Sequence, residues 1–388
     1  MKYWRGYLVA GLLAALTWAL TQFAANHQTL VDMVYPYITR TIQTALADWT
    51  GGASFCLWQV LVILLVAFVL ASIVLTIIFK WNVVQLAGWL LAAAMGLWTM
   101  HTGIYGLNQY AGPLADDIRL EVTDYNVTEL AETTTYFRDQ ANALALEIPR
   151  DANGNPDYPS FEELAEAAPQ GYHTLTYDYS YSIFAGSDAP VKRLGWSDMY
   201  LSMGITGVTM PLTGEAAVVD TLPAIALPFT MCHELAHRMC IANERDANLA
   251  AFLACNVHES VCFRYSANFM ALRYCYNALA SINTSTAKNA AKTIYEGINE
   301  ALAKDLADYN NFFSSVRIDS AADLATSIND AYIKVSGDEN GVASYSRVSD
   351  LLVSWYIQEI YAPENKNETG FDPTDKNQVD LSPTPQGA

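Results

Sequence analysis

Residues 228–237 read Pro-Phe-Thr-Met-Cys-His-Glu-Leu-Ala-His. Pro228 suits the first turn of a helix, where its missing N–H costs little. On that helix His233 and His237 stand at i and i+4 on one face, as two imidazoles must to share one Zn²⁺. Glu234 is rotated by about 100° from His233. It can touch a zinc-bound water without ligating the metal, and take the proton as general base once the metal has lowered the water's pKa to about 7. An H-E-x-x-H string recurs by chance in helices. Here, however, only six histidines occur in 388 residues, and two of them flank a glutamate at ligand spacing. The adjoining residues are apolar, so unpaired polar groups would be costly there.

A third ligand follows within reach. Glu244-Arg-Asp-Ala-Asn248 begins seven residues beyond His237. Cys240–Asn243 can end the first helix, and Asn243 can N-cap the next. Glu244 then stands in a first turn aimed back at the metal. Asn248, at i+4, shares its face and can hydrogen-bond a ligand from behind. His258 and Glu259, on a later helix, and Asp246 are the other candidates for the third position. Cys232, at i−1 from His233, faces away.

Outside this centre, charge is unevenly spread. Residues 1–105 hold four of the 21 Lys/Arg (Lys2, Arg5, Arg40, Lys80) and two of the 40 acids (Asp32, Asp48). The remainder carries 17 basic and 38 acidic residues, a net charge of −21. An ordinary soluble domain is about 25% charged; this chain is 16% charged and 52% hydrophobic. The expected architecture is a membrane anchor, 1–105, followed by an acidic water-soluble domain, 106–362, and a disordered polar tail, 363–388. Clustered acid argues against a nucleic-acid partner, since phosphates need clustered Lys/Arg. Three segments, 6–25, 56–79 and 83–105, are apolar for the roughly 20 residues that a bilayer requires. The lipid bilayer is therefore an expected partner. Lys2 and Arg5 precede the first span, and Lys80 lies in the tight link between the second and third. The positive-inside rule puts both in the cytoplasm, and the 26–55 loop and everything after Tyr105 outside. The first span exceeds the 7–15-residue core of a signal peptide and is expected to be retained.

Within the outer domain, 127–146 and 161–168 read as helices, 151–160 as a loop, and 229–361 as helical almost throughout. The Tyr/Thr/Ser/Gly-rich region 172–219 is the expected place for strands, with Gly204–Met210 the clearest and Tyr177–Tyr181 another. Gly204–Met210 suits either a buried strand or an edge that pairs with an extended peptide. Glu215 reads as a turn residue that can orient that edge or a substrate amine. Tyr265, Arg264 and His258 are candidate donors to a developing oxyanion. Five cysteines fall outside the spans, and buried free thiols are expected, with Cys255–Cys262 as one possible pair. The Asn126, Asn283 and Asn367 sequons matter only on a eukaryotic secretory route.

Together, Gly204–Ala216, Leu227–His237 and Glu244-x-x-Ala-Asn248, with Tyr105–Tyr110 and Gly341–Leu352, resemble a bacterial membrane family of unknown function with a zincin-like domain. The resemblance covers nearly the whole chain except the tail. It implies a mainly α fold: three transmembrane helices, then a zincin-like α+β extracytoplasmic domain with a small sheet. The family's usual glycine three residues after the second histidine is Cys240 here, which questions the turn before Glu244, since glycine accepts φ > 0 freely. The resulting expectation is a zinc metallopeptidase: His233, His237 and Glu244 on Zn²⁺, Glu234 as base, a peptide or protein as substrate. A sensor or envelope-assembly protein that keeps the fold without catalysis is the alternative. The sequence names no protein partner.

Overall fold

The computed structural model describes residues 2–316, scattered positions between 318 and 327, and 348–363. The expected tail beyond Pro363 and the 341–347 part of the resemblance lie outside the described residues. Among those residues the chain is mainly helical. Its helices are α1 (Arg5–Asn26), α2 (Gln28–Gly51), α3 (Leu57–Ile78), α4 (Val83–Ile104), α5 (Leu114–Asp117), α6 (Val127–Glu147), α7 (Phe161–Ala167), α8 (Pro169–Tyr177) and α9 (Ser197–Ser202). They continue with α10 (Leu227–Arg238), α11 (Glu244–Asn256), α12 (Val261–Ser281), α13 (Ser285–Glu296), α14 (Glu300–Val316) and α15 (Val348–Tyr356).

α1, α3 and α4 are each 22 residues long, with mean hydropathies of 1.7, 3.3 and 1.5, enough in length and composition to cross a bilayer. α1 and α4 pack so closely that a Cβ on Gly6 would lie 2.4 Å from the Gly88 carbonyl carbon. Small residues at the crossing permit that close approach. The segment expected as an outer loop, 26–55, is instead mostly the helix α2. Its polar residues Thr39, Arg40, Gln43 and Thr50 are buried against the elements that follow residue 105.

The sheet has three short strands in the order β1 (Lys192–Arg193), β3 (Glu215–Val218), β2 (Gly207–Met210), with β1 and β3 parallel and β2 and β3 antiparallel. Met210 pairs with Glu215 and Gly207 with Val218. The strand expected at Tyr177–Tyr181 does not form. Tyr172–Tyr177 instead completes α8, which starts on Pro169 at its N-terminus, and Ser182–Phe184 is a 3-10 turn. Tyrosine's preference for strands is weak beside a proline-initiated helix whose Tyr172 and Leu175 are buried.

Two local devices tie the elements together. Asn126 and Glu129 form a reciprocal capping box at the start of α6. Glu215 takes the place of a cap for α3: its Oε1 accepts from Leu57 N at 2.7 Å and its Oε2 from Trp58 N at 2.9 Å. The same carboxylate receives the buried Lys192 ammonium at 2.7 Å. Glu215 therefore anchors the apolar helix α3 to the central strand instead of orienting a peptide edge. The main core lies where α6, α10, α11, α12 and α15 meet, with Phe137 stacked on Trp355 and edge-on to Phe252. All six cysteines are free and buried, including Cys255 and Cys262.

Candidate metal and catalytic centre

α10 begins with Pro228 in its first turn and ends in a left-handed turn. Cys240 takes φ = 69°. Its N–H donates to the His237 carbonyl, and the Ile241 N–H donates back to the Ala236 carbonyl. This is the Schellman arrangement that glycine normally serves. The turn therefore forms with cysteine in place of glycine, at about 1–2 kcal/mol of backbone strain. Asn243 then caps α11, its Oδ1 accepting from the Arg245 and Asp246 N–H groups. Glu244 is left as the first residue of α11, folded back over α10.

This turn brings His233, His237 and Glu244 together. The two Nε2 atoms are 3.1 Å apart, and Glu244 Oε2 lies 3.2 Å from that of His233 and 3.3 Å from that of His237. The ligand atoms of a tetrahedral ion with bonds of about 2.0–2.1 Å stand about 3.3 Å apart, nearly the same triangle. Glu244 Oε2 is buried and has no hydrogen-bond partner. His237 Nδ1 faces the Ile241 carbonyl at 2.8 Å, which fixes its proton on Nδ1 and turns the Nε2 lone pair inward. Burial opposes charge on both sides of the pair, but the histidines hold Glu244 well below the usual carboxylate range, and Glu244 pushes His237 up to about 9.

Glu234 is also buried, one residue along from His233. Burial raises its pKa against the pull of the two histidines. Thr209 of β2 donates its hydroxyl to Glu234 Oε2 and to the Glu234 carbonyl, both at 2.8 Å. Gly207 of the same strand lies against the carboxylate: a Cβ there would be 2.5 Å from Oε1. β2 pairs on one side with β3 and has no second strand partner among the described residues.

The alternative third ligands lie elsewhere. His258 Nε2 is 3.0 Å from the Ala167 carbonyl, its Nδ1 accepts from Ser260 N, and its ring stacks on Phe263. The Glu259 carbonyl is bound by Arg264. Asp246 accepts from Leu114 N at 3.0 Å. The expected oxyanion donors are also engaged away from the cluster. The Tyr265 hydroxyl donates to Asp305, which pairs with Arg150 at 2.7 Å, and Arg264 donates to the His258 and Glu259 carbonyls. Asn248 accepts from the Tyr274 hydroxyl at 3.2 Å and makes no bond to a ligand. Tyr274, buried close enough to feel the Glu244 charge, is a tyrosine that no local motif in the sequence places here. Thr209 could have been found, because strand alternation puts it on one face with Gly207.

The chain belongs to a family described as Protein of unknown function (DUF3810), whose model matches residues 31–353. No curated protein and no solved structure matches.

Proposed function

We propose that this chain is a membrane-anchored, zinc-dependent metallopeptidase with a zincin-like domain, hydrolysing peptide bonds outside the cytoplasmic membrane. The observation that carries the reading is the triangle of two imidazole nitrogens and one unpartnered carboxylate oxygen, with a separate buried glutamate beside it. The donor set, two His and one Glu, suits Zn²⁺ in a site that keeps an open position. When bound, zinc supplies Lewis-acid polarisation of a carbonyl and acidification of water. His233, His237 and Glu244 would hold it.

The protein's own residues supply the rest. Thr209 fixes Glu234 through Oε2, so that Oε1 takes up the proton of the attacking water and returns it to the departing amine. Burial raises the proton affinity of Glu234 toward what that exchange requires. The unpaired edge of β2 offers main-chain groups to an extended peptide alongside Glu234. The outside location rests on Lys2, Arg5 and Lys80 marking the cytoplasmic ends of the spans. A structural zinc site would have no use for Glu234, so catalysis is preferred over a purely sensory or assembly role.

The test is Glu234→Gln in the full-length protein, assayed on a peptide library. Turnover should fall by about 10²–10⁴-fold with metal content unchanged. Equal turnover by wild type and variant would end the peptidase reading.

A further inference from the structure

α2 is built inside out for a helix on the surface of a water-soluble domain. Its polar side chains face inward: Arg40 donates to the Met239 and Ser182 carbonyls, Gln43 to the Pro211 carbonyl, and Thr50 to the Thr213 carbonyl. Its outward face carries Leu30, Met33, Val34, Tyr37, Ile38 and Trp49, from 45% exposed at Val34 to 72% at Trp49. At 100° per residue these fall on an arc of about 160° that also holds the exposed Thr41; Thr39, Gln43 and Thr50 lie opposite it, and Arg40 at its margin. Asp48, the one charge on the stripe, accepts from the Ser187 hydroxyl.

Chain connectivity says what covers that stripe. α2 has 24 residues and is therefore about 36 Å long. One residue, His27, joins it to the end of the first span, and residues 52–56 join it to the start of the second. Both its ends are thus tied to span ends on the same side of the membrane. A helix held at both ends in this way runs along the bilayer, not away from it. The loop before β2 agrees. Gln59, in the first turn of α3, exchanges both of its amide hydrogen bonds with the Gly195 backbone. That fixes the exposed Trp196 and Met199 at the level where α3 enters the lipid. Tryptophan favours that zone.

We propose that α2 is an in-plane interfacial helix whose apolar stripe lies in the bilayer leaflet on the domain's side. Resting on the hydrolase reading above, the substrates are polypeptide segments lying in the same interface, such as the stretch of a membrane-anchored protein just outside its span. The inward face of α2 reaches the turn beside the candidate centre. Arg40 of α2 holds the Met239 carbonyl, Gln109 holds the Ala242 carbonyl, and Cys240 and Ala242 pack on Tyr105 at the end of α4. These contacts brace the turn that joins the two histidines to Glu244.

The experiment uses the full-length chain in phosphatidylcholine/phosphatidylglycerol vesicles. Nitroxides are placed at Val34→Cys or Ile38→Cys, with Glu132→Cys as the aqueous reference and Leu64→Cys as the lipid reference. Positions 34 and 38 should collide with oxygen more than with a water-soluble nickel chelate, as position 64 does. Readings like those at 132 would overturn the docking. Brominated lipids should quench wild-type fluorescence more than that of Trp49→Phe, a second readout at an exposed side chain. For the substrate class, one peptide is fused directly outside a transmembrane helix, and in a second fusion it is lifted about 30 Å by a 20-residue rigid helical spacer. The near peptide should be cut at least about tenfold faster. Equal cutting by wild type with none by Glu234→Gln overturns the substrate class and leaves the hydrolase intact. No cutting of either peptide overturns the hydrolase reading and the substrate class together, while the nitroxides decide the docking independently.

Discussion

Gly207→Ala separates the base from the ligands. Gly207 lies in β2 with a backbone open to alanine, but the added Cβ would sit 2.5 Å from Glu234 Oε1, 2.7 Å from its Cγ and 2.8 Å from its Cδ. An ordinary contact begins at 3.4 Å, so the carboxylate or the strand must retreat by roughly 1 Å. Such a shift also stretches the 2.8 Å bond from Thr209. Overpacking of this size costs about 1–3 kcal/mol, and a 1 Å misplacement of a reacting group costs up to about 10²-fold in rate. The three atoms nearest that Cβ all belong to Glu234, not to the His233–His237–Glu244 triangle. The variant should therefore keep its metal, melt several degrees lower and turn over peptide 10–100-fold more slowly, on the order of that rate penalty. Elemental analysis, thermal unfolding in detergent and peptide turnover check the three parts. Full turnover with an unchanged melting temperature would show that β2 does not press on Glu234. Loss of metal would show that base and ligands form one inseparable unit.

Other outcomes follow from the same geometry. Glu215→Ala strips α3 of its capping carboxylate and strands the buried Lys192 ammonium, so it should cost about 3–5 kcal/mol. Lys192→Met in the same chain should recover part of that loss in thermal unfolding. Cys240→Gly should stay within about 1 kcal/mol of wild type, since relief of strain and added chain entropy oppose each other. Cys240→Val, β-branched at φ = 69°, should destabilise clearly and loosen metal binding. Chelation should lower the melting temperature of wild type, by the equivalent of about 4 kcal/mol if free metal had stood at 1,000 times Kd. It should leave that of His237→Ala unmoved.

The centre was legible in the sequence because its parts are local. Helical spacing puts His233 and His237 on one face, and Asn243 caps the helix that starts with Glu244, so the triangle needs no long-range pairing. The three long apolar helices were legible from composition alone. α2 was not: a helix with Thr39, Arg40 and Gln43 inside and Met33 and Ile38 outside inverts the pattern by which a surface helix is recognised, so the segment looked like a loop. Glu215 looked like a turn residue because its partners, Leu57, Trp58 and Lys192, lie far off in the chain. Tyr265 and Arg264 lie close to the centre in sequence, but α12 aims them at Asp305 and the 258–259 carbonyls. Tyr274, nine residues beyond Tyr265 on the same helix, is the one that reaches α11, donating to Asn248.

Metal content tests the proposed centre most directly. Full-length protein purified without chelator should carry about one zinc per chain. His233→Ala, His237→Ala and Glu244→Ala should each lose most of it, while His258→Ala, Glu259→Gln and Glu234→Gln keep it. A metal-free wild type under zinc-replete conditions would rule out this centre, as would zinc that survives removal of Glu244 and leaves with His258 or Glu259.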